Sequence, residues 1–247
     1  MGVAVVVASG KGGTGKTSLS AGVGSALAMH GKRTLCLDCD VGLRNLDIAL
    51  GLTSLTSMDF SDVVFGRCTL EEAAAEHPRI KNLFLLTAPS ALSENDIPPA
   101  GMKKLLEEIK TKFDYCIVDA PAGLGAGFRL AACGADRAII VTTTDSSALR
   151  DAQHAVMELQ SYPLKSVHLV VNRVQQRMLK KLRRSIDDAM DEAGLPLIGV
   201  VPEDKNVQLA AAGDMPIILF DRAGASRAYE NIADRICGEK RPLMKIR

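Results

Sequence analysis

Eight residues, Gly10-Lys-Gly-Gly-Thr-Gly-Lys-Thr17, constrain this chain more than any other stretch. They follow a short β-branched run, Val3 to Ala8, and lead into a helical segment, Lys16 to Met29, that stops at Gly31. The pattern G-x-x-x-x-G-K-[ST] between a strand and a helix is that of a phosphate-binding loop. Glycines at 10, 12, 13 and 15 let successive backbone N–H groups turn toward one point and approach phosphate oxygens closely. The following helix N-terminus adds its partial positive charge. Lys16 is then placed for the β- and γ-phosphates, and the Thr17 hydroxyl for Mg²⁺. Gly12, Gly13, Thr14, Gly15 and Ser18 complete the expected nucleotide contacts.

Such a loop belongs to a parallel sheet, and the rest of the chain alternates accordingly. Strand-like apolar runs recur at Arg33–Leu37, Leu83–Thr87, Tyr115–Val118, Ala138–Val141, Val167–Val171 and Leu197–Val201. Helical patterns fall at Ala100–Lys112 and at about 145–160, 178–193, 204–212 and 223–237. Apolar runs without polar alternation are strands buried on both faces. The expectation is one α/β domain over residues 1–237, a doubly wound, mostly parallel sheet with helices on both faces, followed by a short tail at 238–247.

Charge narrows the function. Lys plus Arg number 30 against 29 Asp plus Glu, a net +1, which argues against coating nucleic acid by bulk charge. No apolar run approaches the ~18 residues of a spanning helix. Met1-Gly2 leads straight into the first strand without a basic leader, so the expectation is an intracellular chain. Cys36 and Cys39 form a C-x-x-C, but at a strand end they point to opposite faces. Neither they nor the scattered histidines show ligand spacing, and no metal is assigned to Cys or His.

Carboxylates carry the remaining chemistry. Asp38 and Asp40 end the second strand, and Asp119 ends the Tyr-Cys-Ile-Val-Asp run, both at the sheet edge where open α/β folds bind ligands. Thr17, Asp38 and Asp119 are the candidate metal-side groups, and Asp40 is suited to orient an attacking water. Pro121-Ala-Gly123 makes a stiff-then-flexible loop suited to sensing a γ-phosphate. Lys11 is not required by the motif. It is either a solvated loop lysine or a second cation that neutralises charge on a transferred phosphoryl group, across a subunit interface or within one chain.

Lys11-Gly-Gly-Thr-Gly-Lys-Thr17 resembles the deviant Walker A motif of the MinD/ParA ATPases. Asp38-Cys-Asp-Val-Gly-Leu-Arg-Asn-Leu-Asp47 and Asp119-Ala-Pro-Ala-Gly-Leu124 resemble segments of the MinD branch. Val201-Pro-Glu-Asp204, Val207 and the turn Gly213 to Pro216 fit the same family's C-terminal part. The resemblance implies an Mg²⁺-dependent ATPase that forms an ATP-dependent homodimer. It implies that Lys11 contacts the partner subunit's nucleotide, that Lys16 and Asp40 act in catalysis, and that Asn172 and Pro202 border the adenine. It also implies a MinC-like inhibitor and a MinE-like activator as partners, and a peripheral position at the inner face of the cell membrane in the ATP state. One departure is Thr143-Thr-Asp-Ser-Ser-Ala-Leu-Arg-Asp151, where the family often has Asn-Pro-Glu; Asp145 or Ser146 remains a helix cap.

The tail is a second departure. Residues 238–247 hold four basic side chains, Glu239, and the apolar Leu243, Met244 and Ile246. Pro242 suits the first turn of a helix. The reading is a weak anionic-membrane anchor strengthened when a dimer presents two copies. Alternatives remain within the superfamily. A ParA-like partition ATPase would bind DNA through Arg173, Arg177, Lys180, Lys181, Arg183 and Arg184, although the acids that follow favour a charge-balanced solvated face. A flagellar-number regulator would usually carry an N-terminal extension. A nitrogenase-like iron protein would need cluster cysteines that Cys116 and Cys133 do not supply, and a small-molecule kinase would need a lid segment.

Overall fold

A computed structural model describes residues 1–54, 58–182 and 185–244. Its strands are β1 (Val3–Ala8), β2 (Thr34–Asp38), β3 (Ala75–Glu76), β4 (Leu83–Leu86), β5 (Tyr115–Asp119), β6 (Arg137–Thr142), β7 (Ser166–Val174) and β8 (Leu197–Pro202). The first helices are α1 (Lys16–Met29), α2 (Leu46–Leu50), α3 (Phe60–Val64), α4 (Leu70–Ala73), α5 (Pro99–Lys112) and α6 (Ala126–Ala132). They are followed by α7 (Ser146–Leu159), α8 (Gln176–Leu182), α9 (Ile186–Ala193), α10 (Asn206–Ala212), α11 (Ile217–Phe220) and α12 (Gly224–Ile236).

The strands form one sheet in the order β3-β4-β2-β5-β1-β6-β7-β8. All pairings are parallel except β3 with β4. The doubly wound expectation is met, and the period of a strand explains the two cores. Val5 and Val7 face α1 and α12, while Ala4, Val6 and Ala8 face α5, α6, α7 and α9. Cys36 joins the first core and Cys39 the second, which places the C-x-x-C sulfurs on opposite sides of the sheet. Gly22 brings α1 close to α12, because a Cβ there would strike the ring of Tyr229. Tyr229 is fully enclosed, and its burial contributes on the order of 2 kcal/mol.

Three boundaries differ from the sequence pattern. The helix expected over 178–193 is two helices, because Ser185 and Asp188 make a reciprocal capping box that starts α9 afresh. Asp145 does precede α7, but its side chain accepts from Thr143 Oγ1 instead of capping the helix. In the tail, Pro242, Leu243 and Met244 are not helical. The segment is held against α12: Arg235 donates to the carbonyls of Arg241 (2.9 Å) and Pro242 (2.8 Å), and Arg241 Nε pairs with Asp234 at 2.7 Å. Lys245, Ile246 and Arg247 lie outside the described residues, as do Arg183 and Arg184.

Candidate nucleotide site

The loop from Ser9 to Gly15 links β1 to α1 at the C-terminal edge of the sheet. Gly13 and Gly15 adopt φ of 77° and 90°. Side chains rarely tolerate that region, and a Cβ on Gly15 would also collide with the Asn172 amide. Gly15 sits at the N-terminus of α1, whose first turn carries no acidic residue. No acidic residue of the helix itself offsets its positive end, which suits an anion site. Thr14 Oγ1 is buried without a hydrogen-bond partner, an orphan donor in the wall of the loop.

Around this loop the sheet topology gathers four charged groups. Lys16 is buried, and its ammonium donates to Ser9 Oγ at 3.0 Å. Burial pulls its pKa below the ordinary value, opposed by the nearby charges of Asp119 and Asp40. Asp119 accepts from Thr17 Oγ1 at 2.7 Å and from Ser20 Oγ at 2.8 Å. Burial, with Asp38 adding repulsion, pushes Asp119 up to about 7. Asp38 stands beside it in register across β2 and β5. Its carboxylate accepts from the backbone N–H groups of Asp40 (2.9 Å), Asn45 (3.2 Å) and Leu46 (3.1 Å), so it ties down the loop that carries Asp40. Burial raises Asp38 to about 6 despite those bonds. Asp40 is only partly buried; burial raises its pKa, Lys16 opposes the rise and Glu94 adds to it.

The donor set suits a hard cation. Thr17 Oγ1 and an Asp119 oxygen lie within hydrogen-bond reach of each other, and both are oxygen ligands. Among the described residues no group of three or more His, Cys, Asp or Glu forms a metal cage. A magnesium ion here would thus depend on substrate phosphates and water for most of its shell, its ordinary habit. Asp38, with both oxygens engaged by backbone donors, is placed to hold the loop.

Beside the glycine loop lies a cleft of about 210 Å³, bordered by Gly15, Ser18, Asn172, Pro202, Glu203 and Val207 among others. Asn172 Nδ2 donates to the Thr14 carbonyl at 2.8 Å, and its Oδ1 accepts from the Arg173 N–H at 2.9 Å. It braces the loop from the next strand but one. Lys11 is exposed, and its ammonium donates to Ser147 Oγ at 3.2 Å, in the first turn of α7. Arg173 is exposed and charge-paired. Held at φ 55°, it reaches Glu203 at 2.8 Å and the Gly13 carbonyl at 3.3 Å, spanning the mouth of the cleft. Arg173 and Glu203 were missed as site residues; the pairing of Asn172 with Val201-Pro-Glu was the available signal.

A glycine loop feeding a helix at the edge of a parallel sheet, with a buried lysine and carboxylates beside it, defines a P-loop nucleotide-binding protein. The model of the CobQ/CobB/MinD/ParA nucleotide binding domain matches residues 5–217. The septum site-determining protein MinD of Bacillus subtilis is 41% identical over 249 residues, covering 100% of this chain and 93% of the relative. A chain of the MinC:MinD cell division protein complex of Aquifex aeolicus superposes with a TM-score of 0.91 at 37% identity, over 98% of both chains. MinD complexed with Mg-ADP from Pyrococcus horikoshii superposes with a TM-score of 0.85 at 26% identity, over 96% of both chains. The chain belongs to the MinD family.

Proposed function

We propose that this chain is a division-site ATPase that cycles between an ADP-bound monomer and an ATP-bound dimer. The observation that carries the reading is the convergence of Lys16, Thr17, Asp40 and Asp119 on one glycine loop, in a chain 41% identical to a MinD protein over its whole length. The backbone N–H groups from Gly12 to Ser18 and the α1 N-terminus bind the phosphates. Lys16 exchanges its bond to Ser9 for the β- and γ-phosphate oxygens. Thr17 and Asp119 hold Mg²⁺, which when bound neutralises phosphate charge. Asp40, tethered through Asp38, orients the hydrolytic water.

Lys11 completes the site from the second subunit. Its ammonium, exposed and held among the described residues by Ser147, can leave for a phosphate that a partner chain presents. Asn172 and Pro202 flank the adenine in the cleft beside the loop. A dimer closed this way offers a joint surface to an inhibitor like the MinC of the Aquifex complex and to a MinE-like activator. Residues 238–247 supply the membrane contact. No helix among the described residues is long and apolar enough to cross a membrane.

Sedimentation with anionic liposomes, and separately with DNA, each with ADP and with ATP, tests the reading. The full chain is expected to pellet with liposomes only with ATP, and a form ending at Cys237 to stay in solution. DNA binding in place of lipid binding would overturn it in favour of a partition function.

A further inference from the structure

At the opposite end of the sheet from the glycine loop lies a cavity of about 190 Å³ that nucleotide chemistry does not use. Its polar lining is Arg137, His168 and Arg235, set among apolar residues such as Val5, Ile139 and Ile198; no carboxylate lines it. The register of β6 and β7 places His168 opposite Ile139, two residues beyond Arg137. Arg235 reaches in from the last turn of α12.

All three side chains are part-buried, and arginines drawn out of water are ordinarily paired with carboxylates. Here neither arginine forms an ion pair among the described residues. Arg137 Nη1 donates to the Ile236 carbonyl at 3.1 Å. Arg235 donates to the Ile198 carbonyl at 2.7 Å and to the two tail carbonyls. The imidazole of His168 has no hydrogen-bond partner among the described residues. Burial and the Arg137 charge both depress the His168 pKa; burial depresses that of Arg235, with the Asp234 charge opposing. Among the described residues, the remaining Arg137 N–H groups and the His168 ring therefore face the cavity without a hydrogen-bond partner, beside an Arg235 guanidinium largely engaged by carbonyls.

We propose that Arg137, His168 and Arg235 form a binding site for a phosphate-type oxyanion. Guanidinium groups bind such anions through paired, charge-assisted N–H bonds, and Arg137 keeps donors free for one. A cavity of about 190 Å³ has room for a phosphate group against these donors. Two sources carry that chemistry: inorganic phosphate, and the headgroup of an anionic lipid entering beside the basic tail that Arg235 grips.

Equilibrium dialysis of radiolabelled inorganic phosphate against the full chain, its P-loop saturated with Mg·ADP, tests the site. Flotation with phosphatidic acid vesicles against neutral phosphatidylcholine vesicles forms the second arm. The expected result is saturable phosphate uptake that weakens at least about tenfold in Arg137→Gln. His168→Gln, which removes no hydrogen bond of the folded chain, is expected to weaken it as well and serves if Arg137→Gln fails to fold. Uptake of free phosphate assigns that source. Flotation with phosphatidic acid alone, reduced in His168→Gln, assigns the lipid. Absence of both, or uptake and flotation unchanged in a folded variant, overturns the proposal.

Discussion

Asp119→Asn is expected to stabilise the nucleotide-free chain while disabling its metal chemistry. Burial and the neighbouring Asp38 raise the Asp119 carboxyl from an ordinary 3.8 to about 7. The folded state therefore binds a proton that the unfolded state has released between those two values. Stability falls as pH rises through that window, because the unfolded state gains by ionising while the native state still holds its proton. Three pKa units at about 1.4 kcal/mol each set a ceiling of about 4 kcal/mol on the cost of carrying this carboxylate above neutrality. That value already includes the attraction to Lys16; the poorer fit of an amide to its two hydroxyl partners offsets part of the gain, leaving a stabilisation of about 2 kcal/mol near pH 8. The amide retains the size of the carboxyl, and the hydroxyls of Thr17 and Ser20 can reverse their donor and acceptor roles to meet it. Urea unfolding without nucleotide or metal measures the difference at about pH 8 and again at about pH 5, where the wild-type carboxyl is mostly protonated and the gain should shrink toward zero. A variant that is less stable at the higher pH, or equally shifted at both, would refute the argument.

Other outcomes follow from the same geometry. Gly15→Ala places a Cβ against the Asn172 amide at φ 90°, so it should cost about 1–3 kcal/mol and abolish nucleotide binding in a fluorescent-nucleotide titration. Asn172→Ala removes the bond to the Thr14 carbonyl and should weaken ATP and ADP alike by about tenfold, measured by calorimetry. Asp40→Ala should bind ATP normally yet hydrolyse it about a hundredfold more slowly in a phosphate-release assay. Lys11→Ala should hydrolyse and dimerise poorly, and light scattering that finds an unchanged ATP-dependent dimer would exclude its action across the interface.

What the sequence disclosed follows from the range of each interaction. The glycine loop and α1 were legible because a local pattern specifies both. The central strands were legible because strands buried on two faces are uninterrupted apolar runs. Between residues 39 and 80 the pattern was silent, since α2, α3 and α4 have no more than five residues each and take their shape from packing. Even there the capping boxes Asp59 with Asp62 and Thr69 with Glu72 were local signals that mark two helix starts. The partner of Arg173 was not legible, because charge clustering in sequence ignores the left-handed turn that points it at Glu203. Asp38 is a subtler case. Its position at a strand end was legible, whereas its bonds to three backbone N–H groups depend on how the following loop folds back.

The loop that binds phosphate is local, but the site around it is assembled from distant chain. Thr17 meets Asp119 across 102 residues, and Thr14 meets Asn172 across 158. During synthesis the glycine loop leaves the ribosome first and must wait for β5, and then β7, before its neighbours exist. Closing such long loops is the slow part of folding a parallel sheet. A nascent or truncated chain ending before Asn172 would carry the whole motif and still lack the brace that shapes it. Nucleotide affinity is therefore expected to rise only as β7 joins the sheet.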